Sequence, residues 1–270
     1  MTLYYQDDHV TLYHGDCMDV MASLPAESVD AIVTSPPYAM QRKTTYGGIP
    51  EEDYPEWTVR WMSEARRVLK PDGSVIINIR PHIKNGQISD YVLRTRLALR
   101  DAGWCECDEL IWHKPDGMPT GSPRRPRRTW ESLLWFGKHG RAWADPKAAG
   151  TEPVRTTRTW SNRASRNGWE HGTYGGRSEP AISRATDVVR VAVKHKSDHD
   201  HPAPFPPALA EWCGKLICPP GGTILDPFSG SASTGVAALR NGWDYIGIDS
   251  VEEYVEMSAR RLAVERAAFA

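Results

Sequence analysis

Thr223-Ile224-Leu225-Asp226-Pro227-Phe228-Ser229-Gly230-Ser231-Ala232-Ser233-Thr234-Gly235 opens with a short aliphatic run ending in an acid, turns through glycine and serine, and enters a helical pattern. Tyr245-Ile246-Gly247-Ile248-Asp249 then repeats the strand-and-acid ending. Together they read as a βαβ unit. The loop after the first strand of a Rossmann-type sheet cradles a nucleotide-like ligand, and the acid closing the second accepts a ribose diol. No GxGxxG occurs here, and an aspartate at the loop repels pyrophosphate. The same aspartate suits the ammonium and sulfonium of S-adenosylmethionine. Taken alone, the stretch also fits a βαβ unit with a glycine turn and no ligand.

Working outward, Val29-Asp30-Ala31-Ile32-Val33-Thr34 is a buried strand candidate running into Ser35-Pro36-Pro37-Tyr38. Val10 to Tyr13 reads as a short strand before it, and Asp16 to Leu24 as a turn or two of helix. Tyr54, Trp57, Trp61, Ala65 and Val68 recur at helical spacing, and Lys70-Pro71-Asp72-Gly73 predicts a turn before the β-rich run Ser74 to Ile79. A helix over Asp90 to Arg100 and a strand over Cys105 to Trp112 follow. After residue 187 the expected order is a strand (Val188 to Val193), helix (Ala208 to Ile217), strand (Thr223 to Asp226), helix (Ser233 to Arg240), strand (Tyr245 to Ile248) and a last helix from Glu252. Such alternation predicts an α/β fold with a mainly parallel sheet covered on both faces.

The 270 residues are 40% hydrophobic and 25% charged, an ordinary globular composition. No apolar run approaches the ~18 residues of a membrane span. MTLYYQDDHV has no basic stretch ahead of an apolar core, so a cytoplasmic protein is expected. Five cysteines without a CxxC pair read as reduced, mostly buried thiols. The net charge of −1 conceals a split. Residues 113–196 hold 17 Lys and Arg against 7 Asp and Glu, while the remainder is acidic, an asymmetry that points to nucleic acid.

At Ser35-Pro36-Pro37-Tyr38, two prolines forbid a continuing ladder and stiffen the loop. The Ser35 hydroxyl and Pro36 carbonyl can then act as two acceptors for one amino group, with the Tyr38 ring as a stacking platform. That is the requirement for methylating an exocyclic base amine, whose lone pair is otherwise delocalised into the ring. A proline-stiffened core connection would look the same in isolation.

The joint occurrence of SPPY after VDAIVT, HPAPFP, and then DPFSGS resembles the DNA amino-methyltransferases that modify cytosine N4 or adenine N6. The catalytic loop preceding the cofactor loop, with a basic region between them, is similar to the β class of that family, whose motif order is circularly permuted. The resemblance implies a Rossmann-like methyltransferase fold in residues 1–112 and 188–270, with 113–187 a basic target-recognition insertion. It implies S-adenosylmethionine as cofactor, held by Asp226, Pro227, Phe228, Ser229 and Gly230, with Asp249 on the ribose, His201 and Phe205 beside the methionine part, and Asp16 near the adenine. Ser35, Pro36, Pro37 and Tyr38 take the catalytic place. Ser35 is a poor base, so it orients and hydrogen-bonds, while the Tyr38 face stabilises developing positive charge by roughly 0.5–2 kcal/mol. The family loop usually reads GSG, whereas here Ala232 follows Gly230-Ser231. The added methyl is cheap at helical angles and unfavourable if φ is positive, and is not expected to abolish binding.

In the family, SPPY is associated mainly with cytosine N4, so site-specific methylation of that amine in flipped bases of double-stranded DNA is the first expectation. Adenine N6, or a relative that binds DNA with impaired catalysis, is the alternative. Arg124, Arg125, Arg127, Arg128, Arg155, Arg158, Arg163 and Arg166, interleaved with aromatic residues, are expected to contact DNA. Trp112-His113-Lys114-Pro115 and Glu131 to Lys138 resemble the family's wall of the target-base pocket, though His113 and Lys114 also read as ordinary loop residues. His195, His199 and His201 lack convincing ligand spacing, and no metal is expected. A homodimer and an accompanying restriction endonuclease are further partners compatible with the resemblance.

Overall fold

The computed structural model describes residues 1–40, 48–116, 124–150, 183–193 and 205–268. In chain order the first half contains Thr2–Gln6 (β1), Val10–His14 (β2), Cys17–Ser23 (α1), Val29–Thr34 (β3), Tyr54–Val68 (α2), Leu69–Ile79 (β4), Ile83–Lys84 (β5), Gln87–Ile88 (β6), Tyr91–Asp101 (α3) and Cys105–His113 (β7). Then come Trp130–Gly137 (β8), Val188–Arg190 (β9), Pro207–Ile217 (α4), Thr223–Asp226 (β10), Ser233–Asn241 (α5), Asp244–Asp249 (β11) and Glu252–Ala267 (α6).

Among the described residues, nine strands form one sheet in the order β1-β2-β11-β10-β3-β4-β8-β7-β9. The run from β2 to β4 is parallel, as is the β7–β9 pair, whereas β1, and β8 on both its sides, pair antiparallel. The strand alternation sends each side chain to one of two cores. Ile32, Val75 and Ile77 pack with α1, α2 and α3, while Ala31, Val33 and Ile76 pack with α4, α5 and α6. This two-sided cover explains why β3 and the second half of β4 read as nearly continuous aliphatic runs. In α2, Tyr54, Trp61, Met62, Ala65 and Val68 bury one face, with proline in the first turn where its missing N–H costs nothing.

Two boundaries differ from the sequence reading. Trp130–Gly137 lies between β4 and β7 in the sheet, so a domain boundary at 113 cuts through paired strands. The physical reason is that β7 and β8 are antiparallel neighbours, so Trp130–Gly137 belongs to the sheet itself. The Lys70-Pro71-Asp72-Gly73 turn is instead a bulge inside β4. Val29 faces Leu69 and Ala31 faces Ser74, so the intervening residues are extruded from the ladder. The paired β5 and β6, which sequence patterning did not suggest, are joined by Asn85-Gly86 with φ values of 51° and 76°, the left-handed pair favoured by two-residue hairpins.

Close approach of α5 to β11 fixes the C-terminal βαβ unit. A Cβ added at Gly235 would sit 2.6 Å from the Tyr245 ring, which is itself fully buried. Gly235→Ala is expected to lower unfolding free energy by about 1–3 kcal/mol through overpacking. Urea unfolding followed by circular dichroism checks this; an unchanged midpoint would show that α5 can slide.

Candidate active site

β3 and β10 are parallel neighbours, with Ala31 opposite Ile224 and Ile32 opposite Leu225. From β3 the chain crosses through α2 to β4 on one side. From β10 it crosses through α5 to β11 on the other. Strand order reverses between them, which opens a crevice at their carboxyl ends. Ser35-Pro36-Pro37-Tyr38 leaves β3 at that crevice, and Pro227-Phe228-Ser229-Gly230 leaves β10.

A cavity of about 270 Å³ occupies the crevice. Pro37, Pro227 and Phe228 meet there with Asp249 and Ser250 at the end of β11 and with Gly15, Asp16 and Cys17 at the start of α1; Ile49 and Trp57 close it. Asp16 caps α1, its carboxylate accepting from the Met18 amide at 2.8 Å. Asp249 is buried, with one oxygen accepting from the Gly230 amide at 2.8 Å and the other from Val251 at 3.0 Å. It thereby ties the β10 loop to β11. Ser229 and Gly230 are buried in that loop, and the Ser229 amide donates to the Ile248 carbonyl at 2.8 Å. The Phe228 ring lies 5.5 Å from Trp57 and 5.4 Å from Trp61, making an aromatic floor under the cavity.

Asp226 is buried beneath this floor. One of its oxygens accepts from the Thr34 hydroxyl at 2.6 Å and from the Phe228 amide at 3.1 Å. Burial pushes its carboxyl up to about 6, against the downward pull of the Thr34 and Thr234 hydroxyls and the Phe228 amide. Among the described residues no Lys, Arg or His forms an ion pair with it. A buried carboxylate lacking a cation, next to a cavity bearing a second carboxylate, fits a ligand with a positive group and a diol. Ala232, buried at the entrance to α5, has φ 55° and ψ 42°. This conformation costs a residue with a side chain about 1–2 kcal/mol, so the unfavourable alternative for this departure from GSG is the one realised.

The SPPY loop has a polar underside. The Tyr38 hydroxyl donates to Glu131 Oε2 at 2.8 Å and accepts from Asn78 Nδ2 at 2.9 Å. Asn78 Nδ2 also donates to Glu131 at 2.9 Å and approaches Ser35 Oγ at 3.4 Å. Pro36 is buried, while Ser35, Pro37 and Tyr38 are partly exposed, and of the four Pro37 lines the cavity.

Comparison with known proteins gives this geometry a family. A DNA methylase model covering N6 and N4 enzymes matches residues 29–260. The chain belongs to that DNA methylase family. Among its relatives, the type II methyltransferase M.ScaI of Streptomyces caespitosus is 28% identical over 97% of this chain and 84% of its own length. M.PvuII of Proteus hauseri is 25% identical over 95% of this chain and 84% of its own. The structure of the cytosine-N4-specific PvuII DNA methyltransferase superposes with TM-score 0.73 at 24% identity, covering 94% of this chain and 86% of that one. A Thermus thermophilus DNA modification methylase complexed with S-adenosyl-L-methionine gives TM-score 0.63 at 25% identity, covering 95% of each chain. The fold of this methylase is therefore the α/β methyltransferase fold, in the permuted order.

Other expected positions fall differently in the methylase. Phe205 packs edge-on against Trp112 at 6.3 Å, in the core on the opposite sheet face from Phe228, and does not line the cavity. His201, Arg155, Arg158, Arg163 and Arg166 lie outside the described residues, as do His195 and His199. Arg124, Arg125 and Arg127 are exposed, Arg128 is partly buried, and Arg125 donates to the Gly86 carbonyl at the hairpin tip. Cys17, Ile49, Trp57 and Ser250 line the cavity without having been singled out from sequence. Asn78 also escaped notice, although a lone amide in the aliphatic run Val75-Ile76-Ile77-Asn78-Ile79 was its visible signal. Among the described residues no group of three or more His, Cys, Asp or Glu is placed to hold a metal, and no helix is long and apolar enough to cross a membrane.

Asp226 makes stability depend on pH. Its folded value of about 6 exceeds the ordinary 3.8, so its stabilising contribution is full below about pH 4 and is lost as pH rises through 6. The difference corresponds to on the order of 3 kcal/mol. Without ligand, Asp226→Asn is expected to be more stable than wild type at pH 8, with the gap closing by pH 4. Urea titrations at several pH values measure it, and a gap independent of pH would contradict the assignment.

Proposed function

We propose that this methylase transfers a methyl group from S-adenosylmethionine to the exocyclic N4 amine of cytosine in duplex DNA, with the target base rotated out of the helix. One juxtaposition carries the proposal: Pro37 of the SPPY loop and Phe228 of the Asp226 loop line a single cavity with Asp249. Bound there, S-adenosylmethionine supplies a methyl group activated by its sulfonium. Asp226, behind the cavity lining, offers negative charge toward the cofactor's ammonium, while Asp249 gives the acceptor for its ribose, Asp16 a polar edge near its base, and Phe228 with Trp57 an apolar surface. The Asp226 loop and SPPY loop come from neighbouring strands, so donor and acceptor sites share one rigid base.

Ser35 and the Pro36 carbonyl accept from the target amine, which favours a nitrogen lone pair free to receive the methyl group. The neutral Ser35 does not take the proton, which leaves later to water. The Tyr38 ring stacks on the extruded base. Flipping costs a few kcal/mol, offset by contacts to DNA. Arg124, Arg125, Arg127 and Arg128 lie on the connection between β7 and β8, a few residues before Glu131, and suit phosphate contacts. Residues 1–112 and 188–270, with β8 added, form the catalytic unit of this proposal, and the remaining basic segment serves target recognition. Cytosine is favoured over adenine by the serine that opens the loop, in keeping with the cytosine-N4-specific PvuII relative.

Mass spectrometry of nucleosides from DNA of cells expressing the protein separates N4-methylcytosine from N6-methyladenine. N4-methylcytosine is the expected product; N6-methyladenine alone overturns the choice of base, and neither overturns the activity. Ser35→Ala and Tyr38→Ala are expected to lower turnover by about 10²-fold or more with cofactor affinity held within about threefold. Calorimetry and single-turnover assays with labelled cofactor report the two quantities, and wild-type turnover in both variants removes the loop from catalysis.

Replacing Arg124, Arg125, Arg127 and Arg128 with glutamine is expected to weaken DNA binding and to reduce the slope of log affinity against log salt, roughly in proportion to how many phosphates these side chains neutralise. Cofactor affinity should stay constant. A slope equal to wild type by fluorescence anisotropy would exclude these arginines from the DNA contact.

A further inference from the structure

Glu131 is a carboxylate in the middle of a sheet, 7% exposed, on a strand whose other residues are mostly aliphatic or aromatic. Burying a charge there is costly unless it is paired and hydrogen-bonded. Both conditions are met. Lys114 from the end of β7 donates to Oε1, with its ammonium also 4.5 Å from the Trp112 ring centroid, and Arg80 just beyond β4 stands 3.7 Å from the same oxygen. The cations thus occupy one oxygen and leave Oε2 for the catalytic loop. Oε2 receives the Tyr38 hydroxyl at 2.8 Å and the Asn78 amide at 2.9 Å. Asn78 closes the triangle by donating to Tyr38 Oη at 2.9 Å, and its buried Oδ1 has no hydrogen-bond partner among the described residues.

This geometry leaves little freedom. The Tyr38 hydroxyl donates its proton to Glu131 and offers a lone pair to Asn78, which fixes the ring's long axis at its far end while the prolines fix the near end. Asn78 is oriented in turn, because turning its carboxamide over would set Oδ1 against the carboxylate. An unpartnered buried acceptor costs about 1–3 kcal/mol, so the rest of the triangle must hold Asn78 in this pose. We propose that Glu131 is a positioning residue for methyl transfer. Through Tyr38, and through Asn78 to Ser35, it holds the SPPY loop in the shape that receives the base, and Tyr38 presents its ring rather than its hydroxyl. This rests on the methyl-transfer assignment above.

Burial, reinforced by the Glu131 charge, raises the Tyr38 phenol well above its ordinary value, so the hydroxyl stays protonated and keeps donating. Burial lowers the Lys114 ammonium while Glu131 draws it back up, as expected of a cation retained for its partner. The Tyr38 hydroxyl is therefore not a group that gives up its proton to a substrate near neutral pH. The cluster's role is geometric.

The test is a double-mutant cycle on the full-length protein, using single-turnover methyl transfer to duplex DNA. Glu131→Gln keeps shape and one acceptor but removes the charge that orients Asn78 and Lys114. It is expected to lower the transfer rate about 10–100-fold while cofactor affinity changes less than about threefold. Tyr38→Phe removes the other end of the same bond. The double variant is expected within about threefold of the slower single variant, since both changes break one linkage. Effects that multiply in full would show that Glu131 does not act through Tyr38, and wild-type transfer by Glu131→Gln would overturn the proposal outright. If Glu131→Gln alone does not fold because Lys114 is left unpaired, Lys114→Met combined with Glu131→Gln removes both buried charges and carries the same cycle. A wild-type protein that methylates no DNA amine overturns the activity itself; a wild-type protein that does, beside an unaffected Glu131→Gln, overturns only the positioning role.

Discussion

The pairing of β3 with β10 is the constraint on which the rest of this methylase depends. Two short registers, Ala31 with Ile224 and Ile32 with Leu225, bring together strands separated by most of the chain. Below them, aliphatic side chains alternate into the two cores. Above them, each strand ends in a loop that cannot continue the ladder, one for its prolines and one for its left-handed turn. The Thr34 to Asp226 hydrogen bond spans that boundary at 2.6 Å, so the last residue of one strand satisfies the acid that closes the other. A change that separated these strands would dismantle the crevice without touching its lining.

Much of this was legible in the sequence because it depends on local pattern. The βαβ unit from Thr223 to Asp249, the helical spacing from Tyr54 to Val68 and the aliphatic run before SPPY each carry a period that a single fold explains. What stayed hidden depends on distant pairing. Nothing local to Trp130–Gly137 says that β8 inserts between β4 and β7. Asn78 was hidden for the same reason: its significance lies in Tyr38 and Glu131, far away in the chain. Phe205 shows the converse. Its motif sits at the expected place in the chain, yet the ring turns to Trp112 in the other core.

Ala232 sharpens the relation between motif and conformation. Here an alanine sits at a left-handed backbone angle that glycine adopts freely. The surrounding structure enforces it. The Ala232 amide donates to Ser229, its carbonyl accepts the first turn of α5 from Val236, and Arg261 donates to the Ser231 carbonyl beside it. Local strain of this size is supportable where such contacts over-determine the turn.

The aromatic floor has an optical side. Trp57 lines the cavity and its ring lies 5.5 Å from Phe228, while Trp61 lies behind it in the core. Indole emission responds to the polarity and packing around the ring, so whatever fills the cavity displaces water from the face of Trp57 and alters its spectrum. The methylase carries its own occupancy signal at the place where the two loops meet, readable without a label on protein, cofactor or DNA.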